Sequence, residues 1–244
     1  MQIDALSLRL RPRTPYEAAD LGTRLCQSAA RDVFRCYLVV GIPTFALCMA
    51  TVEIAYWLPT LTVWWLKPWL DRTILFVLSR AAFGQRTSLA DLWQARRQVW
   101  WSQLILTFLW RPLSPWRSFT QAVYQLEGLR FGQLRRRVLQ IRRRRSSAAL
   151  FMTAVYKLCE TSLTFAVGSL LYWFAPRGQA PDLFEILASQ GEPTHALIVA
   201  AATAIVVLFL EPFYVASGFA MYLSRRAELE AWDIEQEFRR AFAQ

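Results

Sequence analysis

The stretch ALIVAAATAIVVLFLEPFYVASGFAMY, residues Ala196–Tyr222, decides the fold, because Glu211 is its one charged residue. A second run, from Cys36 to Trp57, also holds a single charge, Glu53. A helix rises about 1.5 Å per residue, so about 20 apolar residues cross a hydrocarbon core about 30 Å thick. The two runs therefore predict an all-α integral membrane protein.

The composition favours the same class. The chain has 244 residues, 55% of them hydrophobic, and a mean hydropathy of +0.23, which is more apolar than a soluble domain of this length. The net charge of +10 would also suit a nucleic-acid partner, but the basic residues lie between the apolar runs, where membrane topology requires them. We therefore expect no nucleic-acid partner.

Sites for chemistry are not visible in the sequence. The one histidine excludes a histidine-rich metal site, and the four cysteines form no pairwise motif. Serine-hydrolase, zinc-protease and phosphate-loop signatures are also missing from the sequence. We expect no enzyme activity, no metal and no cofactor.

The apolar runs predict about four transmembrane helices, arranged as two repeated hairpins. In the first hairpin a minimal turn at Leu58-Pro59 joins spans 36–57 and 60–79, and in the second the spans are 148–175 and 195–223. The resulting segments are a cytoplasmic arm and interfacial helix (1–35, with Thr14 capping a helix that starts at Pro15), hairpin 1 (36–79), an Arg-rich cytoplasmic or interfacial helical segment (80–147), hairpin 2 (148–223) and an amphipathic tail helix (224–244).

The Arg-rich segment holds an apolar stretch, 99–110, that is too short to cross a bilayer. An interfacial or a re-entrant position is expected for it, and both remain open. After it, Gln121–Leu126 and Gln133–Arg145 resemble two surface helices, broken at Gly128 and Gly132.

Arginine placement predicts the orientation. Segment 80–147 contains 14 arginines, whereas loop 176–194 contains only Arg177. Because positive residues are retained on the cytoplasmic side, both chain termini are expected there.

The two hairpins share a weak internal repeat. Leu66-Lys67-Pro68-Trp69 in the second span matches Leu210-Glu211-Pro212-Phe213 in the fourth. Equal depth suggests that Lys67 and Glu211 pair, with Asp71, four residues further on, as an alternative partner for Lys67. The predicted intramembrane charge cluster is Lys67, Asp71, Arg72 and Glu211, with helix kinks at Pro68 and Pro212.

A basic amphipathic helix precedes the third span. Its arginines predict contact with anionic lipid head groups, and the same residues also act as a topology determinant. The acids of the tail, Glu228, Glu230, Asp233 and Glu235, offer an intramolecular alternative. The seven arginines are Arg135, Arg136, Arg137, Arg142, Arg143, Arg144 and Arg145.

Several short segments, spread over nearly the whole chain, carry a family resemblance. They are Arg11-Pro12-Arg13-Thr14-Pro15 with Glu17-Ala18 and Asp20-Leu21-Gly22; Trp64-Trp65-Leu66-Lys67-Pro68 with Asp71-Arg72 and Leu78-Ser79-Arg80; Arg111-Pro112-Leu113-Ser114-Pro115 with Arg117-Ser118-Phe119; Gln125-Leu126-Glu127-Gly128; and Glu211-Pro212-Phe213-Tyr214-Val215 running to Glu228-Leu229-Glu230 and Trp232-Asp233-Ile234-Glu235. With them the chain resembles a family of proteobacterial inner-membrane proteins. Genes of that family lie beside those for a transglutaminase-like membrane protein, a stage II sporulation M-like membrane protein and a MoxR-type ATPase. The resemblance implies a multi-pass protein of the bacterial inner membrane within an envelope assembly, and it carries over no activity and no site residues.

Three functions are compatible with these patterns, and the third of them is an anionic-lipid-interacting protein that uses helix 135–145. The first is a non-enzymatic scaffold or assembly component of a bacterial envelope complex, with other membrane proteins as partners. The alternative is a small oligomeric transporter or channel that uses Lys67, Asp71 and Glu211. A transporter needs a water-accessible path to these charges, whereas a scaffold needs them sealed and paired.

The predicted topology can be tested with reporter fusions. Fusions after Leu58 and after Gly178 are expected to read as periplasmic, because these sites follow spans that leave the cytoplasm. Fusions after Gly132 and Gln244 are expected to read as cytoplasmic. A periplasmic signal at Gly132 would turn stretch 99–110 into a true span and overturn the orientation.

Overall fold

The structure is a computed structural model that describes residues 13–129, 131–174 and 193–230. Throughout these residues the chain is helical, and no strand occurs among them. The predicted arm before residue 13, most of loop 176–194 and the tail beyond Glu230 lie outside the described residues. Three helices are long and apolar enough to cross a membrane: Ala30–Glu53, Ser146–Leu170 and Pro193–Glu230.

Nine α-helices follow one another in the described ranges. A 3₁₀ turn, Ala50–Glu53, follows the second α-helix, and a π-helical turn, Arg97–Trp101, precedes the fifth. The α-helices are α1 (Pro15–Ser28), α2 (Ala30–Met49), α3 (Leu58–Ala82), α4 (Leu89–Gln94), α5 (Leu104–Leu109), α6 (Arg117–Leu126), α7 (Phe131–Arg142), α8 (Ser146–Trp173) and α9 (Pro193–Glu230).

Capping boxes set two helix starts, and the sequence predicted the first of them. The hydroxyl of Thr14 accepts a hydrogen bond from the backbone N–H of Glu17, whose carboxylate accepts one from the backbone N–H of Thr14. This capping box, with Pro15 in the first turn, confirms the predicted start of α1. Ser88 and Asp91 form a second capping box at the start of α4.

The turn between α2 and α3 comes earlier than predicted. Leu58 and Pro59 do not form the turn. They begin α3, and the chain reverses between Glu53 and Leu58. Proline in the first turn of a helix lacks only an N–H that would have no intrahelical partner there, so Pro59 favours a helix start rather than a two-residue turn.

Helix α3 is long enough to span but is not uniformly apolar. Its 25 residues correspond to about 37 Å. Four charged residues, Lys67, Asp71, Arg72 and Arg80, interrupt it. Its composition, and not its length, therefore places it outside the three candidate spans.

Helix α9 is the centre of the bundle. It packs against α1, α2, α3, α6 and α8, and it continues to Glu230 instead of ending near residue 223. Its run Ala216-Ser217-Gly218 allows two close approaches: Gly22 of α1 lies against Ala216, and Gly218 lies against Ser118 of α6. Small residues at such crossings let helix backbones approach closely.

Helix α6 is a core helix rather than the predicted surface helix. Every residue from Arg117 to Val123 is buried. Part of the apolar stretch 99–110 also packs inward: Val99 and Thr107 are buried, and the indole N–H of Trp100 donates to the hydroxyl of Thr73 at 3.0 Å. The backbone carbonyl of Trp100 accepts from the indole of Trp69 at 3.3 Å. The stretch therefore contacts α3 near its middle.

The close approaches predict which glycines the bundle depends on. A Cβ at Gly22 would lie 2.3 Å from the carbonyl oxygen of Ala216, and a Cβ at Gly218 would lie 2.5 Å from the backbone of Ser118. Gly22→Ala and Gly218→Ala are each expected to lower the free energy of unfolding by about 1–3 kcal/mol, through overpacking.

Thermal unfolding in mild detergent measures the effect, with Gly168→Ala in α8 as the matched control. A Cβ at Gly168 meets nothing within 4 Å, and alanine is the better helix former by about 1 kcal/mol. Equal midpoints for the control and the two interface variants would rule out tight packing at α9.

Candidate functional site

The site is a chain of alternating charges that crosses the bundle. It runs from Asp71 through Arg117, Glu211, Lys67 and Glu160 to Lys157, so each acid except the first lies between two cations. The links are Asp71 Oδ2 to Arg117 Nε at 3.0 Å, Arg117 to Glu211, Glu211 Oε2 to Lys67 Nζ at 2.9 Å, Lys67 Nζ to Glu160 Oε2 at 2.6 Å and Glu160 Oε1 to Lys157 Nζ at 3.0 Å. The three positive and three negative charges cancel. We call these six residues the charge chain.

Four helices contribute to the charge chain. Lys67 and Asp71 are on α3, Arg117 is the first residue of α6, and Glu211 lies near the middle of the 38-residue α9. Lys67, Asp71 and Glu211 are each at most 3% exposed. Charges withdrawn from water this far are costly unless opposite charges meet them.

The pairing that the repeat predicted is present, since Lys67 contacts Glu211. The alternative pairing of Lys67 with Asp71 is not adopted, and Asp71 contacts Arg117 instead. This last link is an ion pair by distance without hydrogen-bond alignment, so it is electrostatic in character. Both Pro68 and Pro212 lie inside helices that continue through them.

Arg72 does not join the charge chain, contrary to the prediction. Its guanidinium donates to the backbone carbonyls of Ser102 and Gln98, at 2.5 and 3.2 Å, and to the hydroxyl of Thr107 at 3.0 Å. Residues 71 and 72 are about 100° apart around a helix, so Asp71 and Arg72 point towards different neighbours. Arg72 anchors the stretch around α5 to α3.

Three members of the charge chain were missed by sequence reasoning, namely Arg117, Glu160 and Lys157. Arg117 was counted among the arginines of a surface segment, and its local sequence carries no signal that it turns inward. Glu160 did carry a signal, because with Lys157 it interrupts an otherwise apolar span. An acid and a base three residues apart in a membrane helix indicate a polar face.

Two cavities adjoin the charge chain. The inner cavity has a volume of about 170 Å³ and reaches Arg117, Glu211 and Ser114. The outer cleft has a volume of about 750 Å³ and lies between α3 and α8. The cavities share four lining residues: Trp64, Lys67, Lys157 and Glu160. The buried charges are therefore paired with one another, and the two cavities also border them.

The basic segment before α8 divides into two sets. Arg137 pairs with Glu127 and Glu230, and Arg145 pairs with Glu228, which is the intramolecular contact considered from the sequence. The guanidinium carbon of Arg142 lies 3.5 Å from the ring centre of Trp116. The remaining four, Arg135, Arg136, Arg143 and Arg144, are exposed.

Within the described ranges, histidine, cysteine and acidic side chains form no group of three that could hold a metal ion. No family model, no curated protein and no solved structure matches the chain. The site is therefore interpreted from its own geometry.

The charge chain predicts the effect of removing Arg117. Arg117→Gln leaves Asp71 without its ion-pair partner and weakens the environment of Glu211. We expect a loss of about 3–5 kcal/mol in unfolding free energy, typical of a stranded buried charge. The double variant Arg117→Gln with Asp71→Asn is expected to recover part of this loss, because it restores neutrality. Thermal unfolding in detergent provides the measurement.

The exposed Arg143→Gln is the matched control and is expected to have a wild-type midpoint. If the repeat alone determined the pairing, exchanging charges through Lys67→Glu with Glu211→Lys would restore stability. The structure predicts no rescue, because a carboxylate at position 67 would face Glu160 and an ammonium at position 211 would face Arg117. Rescue by this exchange would contradict the charge chain.

Proposed function

We propose that this chain is a non-enzymatic scaffold or assembly component of a bacterial envelope complex in the inner membrane. The observation that supports it best is that each buried member of the charge chain has at least one opposite charge at contact distance. Paired charges fix which helices pack together. A protein held in one arrangement in this way suits a structural role.

Helix α8 supplies a surface for partners. Among its described side chains only Ala149, Met152 and Glu160 are buried. Its outward face carries large apolar side chains, and the partner we propose is a helix of another membrane protein or of a second copy. The exposed set includes Phe151, Leu158, Leu163 and Leu170.

We further propose that α3 is a fourth span, so that two hairpins place both termini in the cytoplasm. The ion pairs of Lys67 and Asp71 with residues of neighbouring helices support this, since they lower the cost of inserting an interrupted helix. The contacts of Trp100 with the middle of α3 support a re-entrant position for stretch 99–110. The family resemblance supports the inner-membrane location.

Anionic lipid head groups are a further proposed partner. Four arginines of the basic segment, Arg135, Arg136, Arg143 and Arg144, are exposed, and Lys/Arg clusters beside a span attract anionic lipids at about 1 kcal/mol per residue. Arg137, Arg142 and Arg145 make intramolecular contacts and contribute less.

A small transporter or channel is the second candidate function. The observation that favours it is that the inner cavity and the outer cleft both border Lys67. This candidate predicts that Ser114→Cys in a Cys159→Ser background reacts with a membrane-impermeant thiol reagent. The other three cysteines, Cys26, Cys36 and Cys48, are buried and provide a low background.

The scaffold proposal can be tested by photocrosslinking in intact membranes. A photoreactive amino acid at Leu158 or Leu170, which are 69% and 51% exposed, is expected to crosslink a small, reproducible set of membrane proteins. Mass spectrometry after purification in mild detergent identifies them, and the same proteins are expected to co-purify with the wild-type chain. Position Leu47 of α2, 73% exposed, is the control for random collisions.

Two outcomes would contradict the scaffold proposal. Lipid adducts alone at Leu158 and Leu170, together with thiol labelling of Ser114→Cys, would favour the transport function over the scaffold. Protein crosslinks of equal yield and identity at Leu47 would show that α8 is not a specific partner surface.

A further inference from the structure

The outer cleft has the size and shape of a ligand site. It lies between α3 and α8, which both pack on α9. Its volume of about 750 Å³ lies within the range of about 300–1,000 Å³ typical of small-molecule sites. The walls are largely apolar, with aromatic side chains and threonine hydroxyls among them. Lining residues include Trp57, Leu61, Phe165, Val199, Thr161 and Thr203.

Charged residues are concentrated on part of the cleft wall. Lys67, Lys157 and Glu160 line it there, an excess of one positive charge. One oxygen of Glu160 contacts Lys67 at 2.6 Å and the other contacts Lys157 at 3.0 Å. Both oxygens of this acid are therefore already engaged, and a cationic ligand would find two lysines and no available carboxylate.

Lys157 differs from the other members of the charge chain. Its side chain is 56% exposed, whereas that of Lys67 is 4% exposed. Within the described part of the chain the ammonium of Lys157 has one ion-pair partner, Glu160. An ammonium has three N–H donors, so Lys157 retains donors that point to no described acid. The charge chain therefore ends in a cation that an anion could extend.

A second feature adds positive potential to the cleft. His195 and Ala196, in the first turn of α9, line it. The N-terminus of a long helix carries a partial positive charge that stabilises nearby anions. The cleft thus combines apolar walls, an available lysine and a helix N-terminus.

We propose that the outer cleft binds an amphipathic anion, whose carboxylate or phosphate head group contacts Lys157 and whose apolar chain lies against Trp57, Leu61 and Phe165. The head group continues the alternation of the charge chain by one member. Binding requires both the charge of the ligand and its apolar chain, because the walls offer few hydrogen-bond partners to a ligand that is polar along its whole length. This site is independent of the partner surface on the outward face of α8.

Equilibrium binding to the full-length purified chain in nonionic detergent tests the proposal. Radiolabelled oleate is the carboxylate probe, oleoyl-lysophosphatidylglycerol is the phosphate probe, and monoolein is the uncharged probe with the same acyl chain. At least one anionic probe is expected to bind saturably and at least about tenfold more tightly than monoolein, a difference of ~1.4 kcal/mol. The relative affinity of the two anionic probes identifies the head group.

Variants locate the site. Lys157→Met is expected to weaken binding of the anionic probe by about tenfold, and Arg143→Met, which removes an exposed charge far from the cleft lining, is expected to have no effect. Glu160 keeps Lys67 as a partner when Lys157 is replaced, so the fold is expected to persist and a thermal midpoint verifies it. Thr203→Trp fills the cleft and is expected to abolish binding of every probe.

Three results would overturn the proposal. They are equal affinity for monoolein and both anionic probes, unchanged affinity in both Lys157→Met and Thr203→Trp, and the absence of saturable binding by either anionic probe. Each would show that the cleft is not a site for an amphipathic anion.

Discussion

The cost of removing charge from water is the constraint on which this structure depends. Five members of the charge chain, all except Lys157, are buried among the helices, and a charge buried in this way is not stable alone. The alternation of acids and bases offsets this cost, because each interior member of the charge chain contacts opposite charges on two sides. Since the members come from α3, α6, α8 and α9, the same contacts that neutralise the charges also determine which helices are neighbours.

A different kind of contact holds the bundle about two turns further along α9. Around Ala216–Gly218, α1 and α6 approach the backbone of α9 at positions where only glycine leaves room. Beyond this point, ion pairs connect the end of α9 to the basic segment, through Arg137 with Glu230 and Arg145 with Glu228. Close packing of small residues and half-buried ion pairs thus complement the buried charge chain.

The charge chain has two unlike ends, and this asymmetry connects structure with function. Asp71 is fully buried, and its end is closed by Arg117. Lys157 is largely exposed and borders both cavities. A core that is neutral inside and cationic at its open end can serve as a rigid support and still present a recognition group. The two proposed roles, partner binding on the outward face of α8 and anion binding in the outer cleft, therefore use different parts of the same helix.

Local signals in the sequence determined much of the helical architecture. The length of an apolar run predicts a membrane helix regardless of its neighbours, and the pattern Thr14-Pro15-Glu17 predicts a helix start from contacts within one turn. The repeat around Lys67 and Glu211 even indicated a long-range pair, because two charges at equal depth in an apolar medium have few alternatives. Only the tertiary structure decided which further residues complete that pair. Arg117 points into the bundle because of how α6 packs, and Arg72 points away from the charge chain because of how the stretch around α5 packs. This packing depends on residues that are far apart in the sequence, so no local sequence pattern predicts it.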